Sequence, residues 1–353
     1  MFQKDPVAEK QAPIETDAIV IGAGPVGLYQ VFQLGLLGIK AHLIDALPQA
    51  GGQCVELYAD KPIYDIPGIP FCTGQELIDR LQAQIKVLQT PFHFNQEVTL
   101  IQKRADGRFD VETSQETFIS KVIVVSAGVG AFKPRKLSLS GIDSYEGKQV
   151  FYKFSQAKQY ANQDIVINGG ETAALEAAVA LAGIAKSITL VHRRDVFKAE
   201  ESLIQRFQGL CAENVIKVQL GQVTNFKATA EKLSSLEVTD FDGQTHDLTP
   251  DTLLPLLGIS PKLGPISDWG IDLENKQVLV DTEKFQSSTA GIFAVGDINT
   301  YPGKKKLIVC GFHEATLAAY GCATHIYPGQ AIHLQYTTTS PKLHEILGVT
   351  PKA

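Results

Sequence analysis

One local order of residues occurs twice in this chain, and it restricts the fold more than any other feature. Residues 17–21 (DAIVI) are a continuous apolar run leading into Gly22, and from Val26 to Leu37 apolar residues are dense enough for a buried helix. AHLID at 41–45 then reads as a second strand. The same order returns as DIVI at 164–167, a Gly-rich turn, an Ala-rich helix through ETAALEAAVALAG, and SITLVH at 187–192. Strand, turn, helix, strand, met twice, reads as an internal duplication of one dinucleotide-binding unit. After the first copy, FNQEVTLIQKR (94–104), RFDVET (108–113) and KVIVVSAG (121–128) read as strands, with Asp106-Gly107 as a hairpin turn and Gly128 closing the unit. A second hairpin signal, Asp242-Gly243, precedes LLPLLG at 253–258, so that Gly258 closes the second copy.

The length of 353 residues suits two domains. A third piece, TAGIFAVGDI (289–298) and GFHEATLAAYGCATHIY (311–327), reads as a strand and a helix too small for a core of their own. The simplest accommodation is that it packs back onto the first unit and leaves the second as an insertion. The expected division is 1–136, 137–266 and 267–353, with the tail from about 329 forming an ordered lid.

Composition narrows the class. With 44% hydrophobic and 20% charged residues the chain is an ordinary globular one, which rules out disorder and a disulfide-stapled mini-scaffold. Thirty-two Lys+Arg against 38 Asp+Glu give a formal charge of -6, which disfavours a broad nucleic-acid or anionic-membrane footprint. No apolar stretch approaches a membrane span, and the N-terminal residues lack the order of a signal peptide, so a cytoplasmic location is expected. Cysteines 54, 72, 211, 310 and 322 contain no CxxC pair and no cluster at metal spacing; reduced thiols and no metal are expected.

Gly22-Ala23-Gly24-Pro25-Val26-Gly27 has the spacing GxGxxG directly after a strand, with Asp45 at the end of the next strand. The first glycine permits the tight turn, the second lets backbone approach a pyrophosphate, and the third lets helix and strand pack closely. The helix start opened by Pro25 supplies free N–H groups, and Asp45 suits ribose hydroxyls. In the second copy, Asn168-Gly169-Gly170-Glu171-Thr172-Ala173, Asn168 takes the first-glycine place and Ala173 the third. Where an acid would favour NAD, the second copy has His192-Arg193-Arg194, with Lys198 expected one turn further on. Guanidinium groups bind a 2′-phosphate that a carboxylate would repel, so NADP(H) is the expected ligand. Asp45 leaves FAD or NAD open for the first site. FAD beside NADPH makes the most chemical sense, because a flavin takes a hydride and releases electrons one or two at a time.

GAGPVG, GGQC at 51–54, SAG at 126–128, GGETA, HRRDVFKA at 192–199 and IFAVGD together resemble the thioredoxin-reductase-like flavoenzymes across about 17–330. That resemblance implies an α/β fold of two Rossmann-like dinucleotide-binding domains, three-layer ββα, with the NADPH domain inserted in the FAD domain. It also implies that Asp297 holds the flavin's ribityl chain. Thioredoxin reductases carry a redox CxxC in the NADPH domain, whereas this chain has only Cys211 there. With GGQCVELYADKPIYDIPG, SAGVGAFKPRKL, LLGISPKLGPI and YTTTS, the chain resembles the thioredoxin-reductase-type ferredoxin/flavodoxin–NADP⁺ reductases over nearly its whole length.

The resemblance implies flavin contacts from the Gly51-Gly52 turn, Gln53 and Tyr58, with Tyr58 stacked on the isoalloxazine. It implies an adenine-side contact at Val98, further FAD contacts at Phe132 and Thr338, and Tyr336 over the other flavin face. A homodimer is implied as well. The activity implied is that of an FAD-dependent NADPH:ferredoxin oxidoreductase, passing a hydride from NADPH to the flavin and single electrons to ferredoxin or flavodoxin with no side-chain acid or base. Its rivals are an NADPH-dependent quinone reductase or oxidase and a non-catalytic flavin redox sensor, with a Cys54/Cys72 thiol reductase further off. Lys304-Lys305-Lys306 reads either as a patch for an acidic ferredoxin or as a solvated loop. His313, where the family has a small residue, reads as structural, and Glu314 is left without a role.

Overall fold

A computed structural model describes residues 12–154, 156–229 and 232–349. Its helices are α1 (Pro25–Leu36), α2 (Gln53–Tyr58), α3 (Gly74–Ile85), α4 (Thr172–Leu181), α5 (Glu201–Ala212), α6 (Ile308–Ile326) and α7 (Pro341–Ile346). Packing divides the chain into two units, one within Met1–Ala131 and Lys262–Ala353, the other within Phe132–Pro261. The chain thus passes between units a few residues ahead of the expected 136 and 267. Both passages are strands, Ala131–Pro134 and Ile259–Lys262, and they pair with each other.

In the first unit the strands run, edge to edge, Phe92–His93, Ala41–Ile44, Ile14–Ile21, Thr117–Val125, Phe109–Thr113 and Val98–Lys103. The first four are parallel and the last two join antiparallel. The Asp106-Gly107 turn lies between the last two, with Gly107 at φ 87°. Thr117–Val125 serves two layers. Phe118–Ser120 pairs antiparallel with Phe109–Val111, whereas Ile123–Val125 pairs in parallel with Ile292–Ala294, returned from the far part of the chain. At the divergence Ser120 is buried and its hydroxyl donates to Val122 O at 2.8 Å, satisfying a carbonyl where the layers part.

Helices α1, α3 and α6 cover the parallel layer, α1 packing against both others. Helix α3 starts from a capping box in which Thr73 accepts from Glu76 N and Glu76 accepts from Thr73 N. Its Leu77, Ile78, Leu81 and Ile85 are buried at helical spacing.

The second unit repeats the plan. Its parallel sheet runs Ile216–Leu220, Ser187–His192, Asp164–Asn168, Thr252–Pro255, which is again third, second, first and last strand of the unit. An antiparallel layer of Gln222–Ala228, Leu233–Thr239 and Thr245–Leu248 follows, with the Asp242-Gly243 turn in the second hairpin. Both faces of the parallel sheet are covered, so the three residues after Asp164 are all apolar and buried. Ile165 and Ile167 face α4 and Phe207, while Val166 joins Val191, Leu253, Leu236 and Val238. No helix among the described residues is long and apolar enough to cross a membrane.

Candidate active site

The glycines of the first turn separate into two kinds. A Cβ on Gly22 would stand 2.5 Å from the Ser126 carbonyl oxygen, and one on Gly27 would stand 1.9 Å from Gly22 O. These two exist for packing. A Cβ on Gly24 would meet nothing within 4 Å, so the backbone there faces open space at the start of α1. That start has no side-chain cap and no acid in its first turn, which leaves N–H groups and the positive helix end for an anion. Asp45 follows from β-pairing with the neighbouring strand. Its Oδ2 accepts from Ala23 N at 2.6 Å and its Oδ1 from Leu47 N at 2.8 Å, so the carboxylate is locked beside the turn. Burial raises its pKa, and the two amides act against that rise.

Around this opening other segments converge. A Cβ on Gly52 would lie 3.2 Å from Gly24 Cα, and one on Gly128 would lie 3.1 Å from Gln53 Nε2. Gln53 Nε2 donates to Asp297 Oδ2 at 3.3 Å, which joins α2 to the turn Gly296–Ile298. Tyr58 is half-buried at the end of α2, its hydroxyl 3.5 Å from Cys54 Sγ. Burial above all, then Cys54 and Asp297, raises the Tyr58 pKa and keeps its hydroxyl protonated. Val98 is buried, and the segment before it is tied to Asp45 by Gln96 N donating to Asp45 O at 3.0 Å. Gly22, Gly24, Pro25, Gly27, Asp45, Gly52, Gln53, Tyr58 and Asp297 are thereby gathered at one place in the first unit, with Val98 near its Asp45 end. The open cradle at Gly24, the fixed carboxylate and the uncapped helix start fit a dinucleotide such as FAD.

Tyr336 and Thr338 are outside this gathering. Both are exposed, Tyr336 by 64%, in the turn ahead of α7, while Leu343 of α7 is buried against the unit. Phe132 belongs to the strand Ala131–Pro134, and its side chain lies outside the described residues.

The lysine run is corrected by the structure. Lys304 is no docking residue: its side chain is 7% exposed and pairs with Glu314, which is 0% exposed, at 2.5 Å. Lys305 and Lys306 alone face solvent. Glu314 also accepts from Gly296 N, Asn299 Nδ2 and Tyr301 OH. The sequence held one signal for this, an acid among Gly311, Ala315 and Ala318 on the buried face of α6. His313 is exposed on the same helix, a surface position.

In the second unit the equivalence with the first is shifted by one residue from that expected. Gly22 N donates to Ile44 O and Gly169 N to Val191 O; Ser126 N donates to Ile21 O and Leu256 N to Asn168 O. Gly169 is therefore the counterpart of Gly22, Glu171 of Gly24 and Ala174 of Gly27, with Asn168 still inside its strand. Gly170 has another use. A Cβ there would lie 2.3 Å from His192 Nε2, so this glycine makes room for the imidazole. Burial lowers the His192 pKa, helped by Arg193 and Arg194. Arg193, Arg194 and Lys198 are exposed and make no ion pair with a described residue. Lys198 is not on a helical turn. The loop after Arg194 crosses back so that Lys198 N donates to Gly170 O at 2.9 Å and Lys198 bridges Glu171. Thr172 and Ala173 open α4, which lacks a side-chain cap. Gly169, Gly170, Glu171, His192, Arg193, Arg194 and Lys198 thus meet at the end of one sheet, and three free cations there fit a nucleotide carrying a 2′-phosphate.

Two nucleotide units in one chain, one with a carboxylate and the other with cations after the second strand, define the class: an oxidoreductase that couples two dinucleotides. Residues 57–296 match the pyridine nucleotide-disulphide oxidoreductase family. The chain is 54% identical over 338 residues to ferredoxin–NADP reductase 2 of Cupriavidus metallidurans, covering 96% of this chain and 92% of that one. With the ferredoxin–NADP reductase of Methylibium petroleiphilum it is 55% identical over 342 residues, 96% and 93% of the two chains. The thioredoxin reductase of Lactococcus lactis in its FR conformation shares the fold, with a TM-score of 0.63 at 24% identity over 88% of this chain and 99% of that one. The chain belongs to the ferredoxin–NADP reductases within the pyridine nucleotide-disulphide oxidoreductase family. Enzymes of this kind depend on FAD and NADP(H).

Proposed function

We propose that this chain is an FAD-dependent NADPH:ferredoxin oxidoreductase, with ferredoxin or flavodoxin as carrier. The observation that carries the reading is the contrast between equivalent strand ends: Asp45 fixed by two backbone amides in one unit, Arg193 and Arg194 exposed and without an ion pair to a described residue in the other. When bound, the flavin supplies the conversion between a hydride and single electrons. The chain's own part is to hold and orient. Gly24 and α1 take the pyrophosphate, Asp45 the ribose, Gln53 and Asp297 the chain towards the ring, and Tyr58 the ring face. Arg193, Arg194 and Lys198 take the 2′-phosphate. Proximity then carries the transfer without a side-chain acid or base.

Cys211 has no cysteine neighbour in sequence, which speaks against a dithiol relay in the second unit, and the five cysteines are free. Free thiols accord with a cytoplasmic location. We place Val98, Phe132 and Thr338 along the FAD and Tyr336 over its second ring face, in a homodimer, as the family resemblance implies.

The test is NADPH-driven cytochrome c reduction by the yellow purified protein, with and without ferredoxin or flavodoxin, and with NADH as control. Large, saturable stimulation by the carrier with NADPH supports the reading. Flavin bleaching by NADPH without carrier stimulation overturns the carrier assignment in favour of a quinone or oxygen acceptor, and absence of bleaching overturns the enzyme reading.

A further inference from the structure

The ion pair Lys304–Glu314 has no part in the function proposed above, yet it is among the most enclosed polar groups of the first unit. Four donors converge on one carboxylate. Gly296 N at 2.7 Å and Asn299 Nδ2 at 2.9 Å reach Oε2, while Tyr301 OH at 2.9 Å and Lys304 Nζ at 2.5 Å reach Oε1. Burial first, and the hydrogen bond to Glu314 next, raise the Tyr301 pKa and keep its hydroxyl a donor. Lys304 Nζ donates a second time, to Gly296 O at 2.8 Å. The two partners of the ion pair therefore hold the two sides of a single residue, Glu314 its N–H and Lys304 its C=O.

That residue is the one before Asp297. Gly296 stands at φ +77°, and Val26 of α1 lies 3.4 Å from where its Cβ would be. With φ free in a glycine, the peptide plane leading into Asp297 has one local bond, Asn299 N donating to Gly296 O. The bonds from Glu314 and Lys304 clamp the N–H and C=O of Gly296 from outside the turn, and together with Gln277 Nε2, which donates to Asp297 O at 3.0 Å, they set the direction of the Asp297 carboxylate towards Gln53.

We propose that Glu314, with Lys304, is the positioning pair that aims Asp297 at the flavin chain. A buried ion pair is seldom kept for stability, since well-packed apolar groups of similar size serve as well or better, whereas two directed bonds to one peptide set a geometry that apolar groups cannot. The proposal rests on the reading that Asp297 touches FAD, and the test separates the two.

The measurement is FAD release on dilution of the full-length holoprotein, followed by flavin fluorescence, beside its thermal melting. Asp297→Asn tests the reading: weaker FAD retention supports it, and unchanged retention overturns it. Glu314→Gln alone leaves Lys304 buried without its partner and is expected to melt earlier. The informative variant is Glu314→Gln with Lys304→Met, which removes both charges together. We expect it to melt close to the unaltered protein and to bind FAD about tenfold more weakly, the size of one or two lost directed bonds. If it retains FAD as tightly as the unaltered protein while Asp297→Asn does not, the pair is structural only and the proposal is overturned. If it fails to fold, Asp297→Asn combined with Glu314→Gln decides. A pair acting through Asp297 gives FAD binding no weaker than Asp297→Asn alone, and additive losses overturn the proposal.

Discussion

At the scale of single residues, the turn Gly22–Gly27 separates packing from binding. Gly27→Ala puts a methyl group 1.9 Å from a carbonyl oxygen that belongs to backbone and cannot turn away. Helix α1 must shift, at a cost of about 1–3 kcal/mol or more. Gly24 stands at φ -70° with nothing within 4 Å, so Ala is tolerated by the fold. Urea unfolding of the FAD-free chain should therefore show a loss for Gly27→Ala and a change within about 0.5 kcal/mol for Gly24→Ala, typical of a site without a structural role. FAD binding should weaken in both, because the Gly24 methyl fills the space a pyrophosphate needs. Unimpaired FAD binding by Gly24→Ala would remove the pyrophosphate from that place. In the second unit, Arg193→Ala with Arg194→Ala should raise the KM for NADPH far more than that for NADH, since charge-assisted contacts contribute about 1.5–3 kcal/mol each. Equal losses for both nucleotides would refute the 2′-phosphate assignment.

At the scale of elements, the short strand Phe92–His93 is held to Ala41–Ile44 by side chains as well as by the ladder. His42 Nδ1 and His93 Nε2 are 2.9 Å apart, and His93 Nδ1 is 2.7 Å from Glu116, which also accepts from Gln96 Nε2 at 2.6 Å. Burial and His93 lower the His42 pKa below its ordinary 6.5, and Gln96 and His93 lower that of Glu116 below its ordinary 4.5. For His42 the fold favours the neutral ring, so its contribution is complete above the ordinary 6.5 and is lost as the pH falls from there through the lower value of the folded state. For Glu116 the fold favours the carboxylate, and its contribution is lost as the pH falls below 4.5. Both act in one direction. Stability measured by urea at pH 7.5, 6 and 5 should fall, and His42→Gln should flatten the upper part of the fall; an unchanged slope in that variant sinks the assignment.

These same elements show what was legible in the sequence. The apolar strands, the alanine-rich helix and both Asp-Gly hairpins are local patterns and stand where the periodicity puts them. The one-residue shift between the two Gly-rich turns was not legible, because Asn168 stays in its strand only through pairing with Val191 and Pro255. Lys304 in a run of three lysines looks solvated until α6 brings Glu314 to it. Spacing alone puts Lys198 one turn beyond Arg194, whereas the loop brings it back to a bridge with Glu171. Each of these depends on a partner from another part of the chain, and spacing alone carries no record of it.

At the scale of the whole molecule, the second unit has the marks of an autonomous domain. Its apolar residues form cores on both faces of its own parallel sheet, drawn from residues inside Phe132–Pro261. The strands at its two ends, Ala131–Pro134 and Ile259–Lys262, pair with each other, so its termini are adjacent and cutting there opens no loop. Arg193, Arg194 and Lys198 are all within it. The fragment 132–261 should therefore unfold cooperatively by itself and be retained on immobilised 2′,5′-ADP. NADP⁺ should release it, NAD⁺ at the same concentration should not, and the fragment with Arg193→Ala and Arg194→Ala should pass through while keeping its circular dichroism. A fragment that is collapsed without cooperative melting would mean that the two units share a folding unit after all. A folded fragment released equally by NAD⁺ would leave the domain intact and take the 2′-phosphate away from the arginines, and with it the separation of one nucleotide per unit on which the proposed electron transfer depends.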